Sequence, residues 1–286
     1  MYLRKTVKLT VHRKTARLGA TLGLLLALLT PSASHLAAAP VIPEDLMDDD
    51  FAKEELGVND FTVPSIRKIF SDLDKLEPIP YERLARPIPD PPTSDRLTLA
   101  LNFGALLADG FLVVQIKDQS KIEAISRALV KYCVSMGVGD KVKPHGKSLL
   151  EKAFSSDWPG LKEELSNTQH DVEYEMMTLR DEQIAHLISL GGWLRALQIG
   201  ADSVDQSYSM DRAKSLVRVE MLDYYLDRLS TLHPRLMAKP EVIRITADLK
   251  DIRTILESAK DGVPDPAGVQ AILKSANDAN SAITGT

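Results

Sequence analysis

The chain has 286 residues, room for one large domain or two ordinary ones. Its 44% hydrophobic and 26% charged residues exclude a disordered or collagen-like chain. One cysteine, Cys133, excludes an intramolecular disulfide, a CxxC redox centre and a cysteine zinc knuckle.

Residues 1–39 read as a secretory signal peptide. Six basic side chains, from Arg4 to Arg17, precede a twelve-residue apolar run, Leu18–Leu29. Small residues follow in TPSASHLAAAP, and the first acidic residue is Glu44. A basic head, a short apolar middle and a small-residue tail fit export, and the run is short beside the ~20 residues a membrane span needs. An uncleaved anchor is the rival reading. Removing residues 1–39 takes six basic and no acidic side chains from totals of 35 and 40, which leaves the mature chain at −11. That balance argues against nucleic acid or an anionic membrane as partner.

Residues 40–60 are acidic and irregular and predict a loose arm. A short helix follows Pro64, with Ile66, Ile69, Phe70, Leu73 and Leu76 at helical spacing. Six prolines between Pro78 and Pro92 predict an extended strap, a linker or a belt on the domain surface, with neither helix nor central strand. Ile79, Tyr81, Leu84 and Ile88 favour the belt.

From residue 93 to the end the pattern is helical. The spacing predicts helices near 94–117, 120–136, 145–155, 158–179, 181–204, 210–231, 240–258 and 266–281. A Ser120-x-x-Glu123 capping box opens the second, Gly137 closes it, and Asp157 caps the fourth. No alternating strand or fixed repeat is visible. The expected fold is all-α: a single domain of about eight helices in an irregular bundle or array, after a signal peptide and a Pro-rich extended segment.

Two helices stand out. Residues 97–116 are apolar enough to suggest a membrane span, but Asp109 near the middle and Asn102 favour a central core helix. Ala100, Gly104 and Ala108 form a small-residue stripe on it. In the 181–204 helix, Ala185, Ser189, Gly192, Ala196 and Gly200 form a second, and Gly191 adjoins it. Glycine inside a helix costs roughly 1 kcal/mol against alanine, so the expectation is that the two helices pack small face to small face. A pocket beside Trp193 is the alternative.

Chemistry-bearing motifs are sparse. Glu182 and His186 are one helical turn apart, and Asp109, Asp171 or Glu175 could join them around a metal. The bland reading is a carboxylate that orients an imidazole. His145-Gly146-Lys147-Ser148 lacks the first glycine of a phosphate loop and reads as a polar loop capping a helix. Ser65-x-x-Lys68 lacks the partner motifs of penicillin-recognising enzymes, and His233-Pro234-Arg235 reads as a helix–helix turn. Cys133 reads as buried and inert, and Arg212, Arg218, Arg228 and Arg235 as solvated.

The favoured expectation is an exported soluble helical protein, periplasmic or extracellular, of non-enzymatic binding or scaffolding type. It carries no cofactor, no metal, no nucleic acid and no transmembrane span in the mature chain; a protein partner or a small ligand is compatible with it. The alternative is a small-ligand or metal-binding helical domain with its site at Asp109, Glu182, His186 and Trp193. The second alternative is a helical enzyme of unknown reaction.

Overall fold

A computed structural model describes residues 66–91 and 95–284. The expected signal peptide and acidic arm lie outside these residues. All described secondary structure is helical, without a strand.

The first helix, α1 (Ile66–Asp74), buries Ile66, Phe70 and Leu73. The strap contains one helical turn, α2 (Tyr81–Leu84), and is otherwise without helix to residue 91. The expectation of no helix between residues 78 and 92 is corrected here. Residues 81–86 hold no proline, and Pro80 stands just before the turn, where its missing N–H costs nothing.

The eight longer helices, of twelve residues or more among those described, follow the predicted order. They are α3 (Arg96–Ile116), α4 (Gln119–Met136), α5 (Gly139–Phe154), α6 (Trp158–Thr178) and α7 (Glu182–Gln206). After the one-turn α8 (Met210–Lys214) come α9 (Val219–Ser230), the short α10 (Pro234–Met237), α11 (Pro240–Ser258) and α12 (Pro266–Thr284).

Several local expectations shift. The cap of α4 is Asp118, whose carboxylate accepts from the Lys121 amide; Ser120 donates its hydroxyl to Asp118 instead. Asp118 precedes the first helical residue, the position from which a carboxylate reaches the free amides of the first turn. Gly137 ends α4 with φ +85°, and Asp157 caps α6 by accepting from the Gly160 amide. Helix α5 starts at Gly139 and runs through Pro144, so His145 lies within a helix rather than in a loop. The single helix expected over 210–231 is two, interrupted at 215–218, where the Ser215 hydroxyl turns back to the Arg212 carbonyl.

Helix α3 is the centre of the fold. It is long and apolar enough to cross a membrane, with 94% of its apolar window buried inside the protein. Its apolar character all round follows from its neighbours: α7 along one side, then α4, α6 and α12. The α3–α7 contact is made through glycine. A Cβ on Gly104 would sit 2.6 Å from the Gly192 amide nitrogen, and one on Gly191 would sit 2.8 Å from the Leu101 Cα. Side chains there would push the two backbones apart. Core residues lie on both sides of position 93: Ile66, Phe70, Leu73, Leu76 and Leu84 join the same cluster as the α3 and α7 side chains.

Candidate functional site

Asp109 lies on α3 and is buried. Both carboxylate oxygens are engaged by arginines from different elements. Arg195 of α7 donates its Nε to Oδ1 at 2.7 Å, and Arg86 of the strap donates its Nε to Oδ2 at 2.7 Å. Arg195 is 2% exposed, the largest fully buried side chain among the described residues. Its remaining nitrogens donate to the Leu84 carbonyl and, at 2.5 Å, to Gln198 Oε1. A buried guanidinium is tolerated only when a carboxylate and further acceptors replace its water. Here the replacement comes partly from the strap, through the Leu84 carbonyl.

Further bonds fasten the same segment. Arg83 pairs with Asp202 of α7 at 2.8 Å. The Tyr132 hydroxyl on α4 donates to the Pro89 carbonyl at 3.2 Å. The strap therefore lies as a belt across α3, α4 and α7.

Two depressions flank the belt, and Ala85 and Arg86 line both. One, about 580 Å³, opens between the strap, α7 and α12 and is lined by Arg83, Arg86, Arg195, Gln198, Asn277 and Asn280 among others. The other, about 210 Å³, has Tyr81, Asp109 and Lys121 in its wall. Gln198 bridges α7 to α12 by donating to Asn277 at 2.6 Å.

His186 belongs elsewhere. It is nine residues from Arg195 on α7, two and a half turns, which puts it on the opposite face and roughly 13 Å along the axis. Its Nδ1 lies 2.8 Å from the Tyr224 hydroxyl of α9. Burial, then the Arg228 charge, pushes the imidazole down to about 4, so the ring is neutral at pH 7. Burial pushes the Tyr224 phenol well up. A neutral imidazole against a phenol that keeps its proton is a fixed polar contact between helices. Below it, Ser189 and Tyr225 share a hydrogen bond of 2.9 Å, and Trp193 packs on Tyr225 at 5.3 Å between ring centroids.

Of the four residues singled out in the sequence, His186 and Trp193 thus share one face of α7. Asp109 faces Arg195 on another side, and Glu182 is exposed in the first turn of α7. Asp171 and Glu175 are occupied at the α5–α6 contact, by His145 at 2.9 Å and Lys141 at 3.4 Å. Among the described residues, no group of three or more His, Cys, Asp and Glu side chains is placed to hold a metal ion. A small cavity of about 50 Å³ does lie beside Trp193, walled by Ala196, Gly200 and Leu216.

No protein-family model, curated protein or solved structure matches this chain.

Three features escaped the sequence. Arg195 belongs to no motif; a charged side chain in the middle of the apolar run Trp193–Ile199 is the available signal. His145 has a carboxylate at each ring nitrogen, Glu164 at 2.7 Å and Asp171 at 2.9 Å, and Ser148 donates to the same Glu164. Arg212, read as solvated, donates to the Leu76 carbonyl at 3.1 Å and the Ser203 carbonyl at 3.0 Å, and so ties the end of α1 to α7.

Proposed function

We propose that this chain is an exported, non-catalytic binding protein that presents the strap and the bundle beneath it as its recognition surface. One observation carries the reading: the buried charges are used to fasten the strap. Asp109 spends both oxygens on Arg195 and Arg86, and Arg195 spends a further donor on the strap's Leu84 carbonyl. Two arginines hold Asp109 as an ionised carboxylate, an acceptor with no proton to give, and fix its place at the strap. The depression between strap, α7 and α12 has the size of a small-molecule site. Export is supported by the basic head, apolar run and small-residue tail of residues 1–39.

The test is native mass spectrometry of the protein recovered from the exported fraction of its own cells. The reading expects a chain that begins between residues 35 and 40 and carries a bound molecule or partner released on denaturation. A full-length chain confined to the cytosol would overturn export. Turnover by the purified protein that Asp109→Asn abolishes without unfolding it would overturn the non-catalytic assignment.

A further inference from the structure

We propose that the cleft between the strap, α7 and α12 binds a small hydroxylated monocarboxylate, the chemistry of a hydroxy acid or an acidic sugar. This rests on the binding reading above and gives it a place and a ligand class.

Charge is the first argument. Three guanidinium groups, Arg83, Arg86 and Arg195, line the cleft against one carboxylate, Asp202. Asp109 is in the wall of the other depression. With Asp109 paired to Arg86 and Arg195, and Asp202 to Arg83, three guanidiniums against two carboxylates keep one net positive charge on a chain of net charge −5, and such a site draws anions.

Unpartnered polar atoms are the second. Arg86 Nη2 and Asn280 Oδ1 are both buried without a hydrogen-bond partner, and both residues line the cleft. Asn280 is 5% exposed, and its amide nitrogen is already committed to the Leu194 and Ala276 carbonyls, so its oxygen is left as an acceptor only. Buried polar groups left unpaired cost free energy, and a ligand can supply what they lack. The pair is one cationic donor and one neutral acceptor. A carboxylate accepts from the first; a hydroxyl donates to the second. Both atoms lie just behind the cleft surface, Arg86 on the strap and Asn280 on α12, so binding requires both side chains to give at the cleft wall.

The single net positive charge selects a monoanion. Arg195 is committed to Asp109, Gln198 and Leu84, and Arg83 to Asp202. A phosphate dianion would bring two negative charges to one uncompensated positive charge. Gln198 has its oxygen on Arg195 and its nitrogen on Asn277, so the amide nitrogen of Asn277 on the rim is the group suited to a further hydroxyl.

The experiment is isothermal titration calorimetry of the mature protein with D-glucuronate, D-gluconate and L-lactate, and with D-glucose and inorganic phosphate as controls. At least one of the three hydroxy acids is expected to bind, with glucose and phosphate at least about tenfold weaker. Arg86→Gln should weaken binding by a similar factor. Asn277→Leu, an exposed change on α12 that leaves the Asp109 contacts intact, should block the rim even if Arg86→Gln loosens the strap. No heat from any hydroxy acid, or binding unchanged in both variants, overturns the ligand class. Native mass spectrometry separates that failure from the wider one: another bound species preserves the binding reading, and an empty, partnerless protein sinks both.

Discussion

Gly191 of α7 stands against Leu101 of α3 so closely that a Cβ on it would lie 2.8 Å from the Leu101 Cα and 2.7 Å from its carbonyl carbon. Its neighbour Gly192 is less constrained: a Cβ there would meet the Gly104 carbonyl oxygen at 3.3 Å and the Ile66 Cδ1 at 3.4 Å. Both sites are mid-helix, so alanine gains ~1 kcal/mol of propensity at either. Gly191→Ala must still move a backbone and is expected to lose about 2 kcal/mol net, roughly 4–8 °C in melting temperature. Gly192→Ala is expected within about 1 kcal/mol of the parent. Thermal melts of the two variants check this; equal effects would deny the close contact at Leu101.

The helical order and the α3–α7 pairing were legible because both are written in local spacing. Apolar positions recurred every three or four residues, and glycines inside helices announced a close approach. The candidate site was only partly legible. Glu182, His186 and Trp193 sat on neighbouring positions of one helix, so the sequence could group them; nothing local revealed that Asp109 would turn to Arg195 or that Arg86 would arrive from the strap. Those partners are 86 and 23 residues away in the chain. His186 likewise found Tyr224 through tertiary packing, 38 residues on. The capping residue of α4 was misplaced by two positions because Ser120 and Asp118 are both good caps, and only geometry decides between them.

Removing one partner of the buried pair should cost more than removing both. Asp109→Leu leaves Arg195 charged and enclosed and is expected to lose about 3–5 kcal/mol. Adding Arg195→Met to it should recover much of that loss, since similar-sized apolar side chains then fill the site. Arg195→Met alone should be milder than Asp109→Leu, because Asp109 keeps Arg86. Urea denaturation of the three variants supplies the cycle, and additive losses would contradict the coupling.

The neutral state of His186 links stability to pH. Its folded value, about 4, lies below the ordinary imidazole value of 6.5, so the unfolded chain takes up the proton first. The stabilising contribution is complete above about pH 6.5 and is lost as pH falls through 4. With allowance for the partial exposure of the ring, it amounts to about 1–2 kcal/mol. His186→Phe should flatten the stability profile between these limits. A parent and variant with parallel profiles there would refute the assignment.

Cys133 is fully enclosed, and burial pushes its thiol up to about 12. The thiolate, the reactive form, is scarce in the folded protein. A disulfide exchange reagent at pH 8 is expected to leave the native protein unlabelled and to label one thiol per chain once guanidinium unfolds it. Prompt labelling of the native state would place Cys133 at an accessible surface.

The strap is fastened to the bundle through Asp109. The peptide bond after Arg83 reports on it directly: Arg83 is held by Asp202, Leu84 is buried, and the Leu84 carbonyl accepts from Arg195. Limited trypsin digestion of the native protein should leave this bond intact until the whole domain unfolds, while Asp109→Asn should admit cleavage after Arg83 with the helical bundle still folded. Rapid cleavage after Arg83 in the unaltered, folded protein would mean that the strap is not held down.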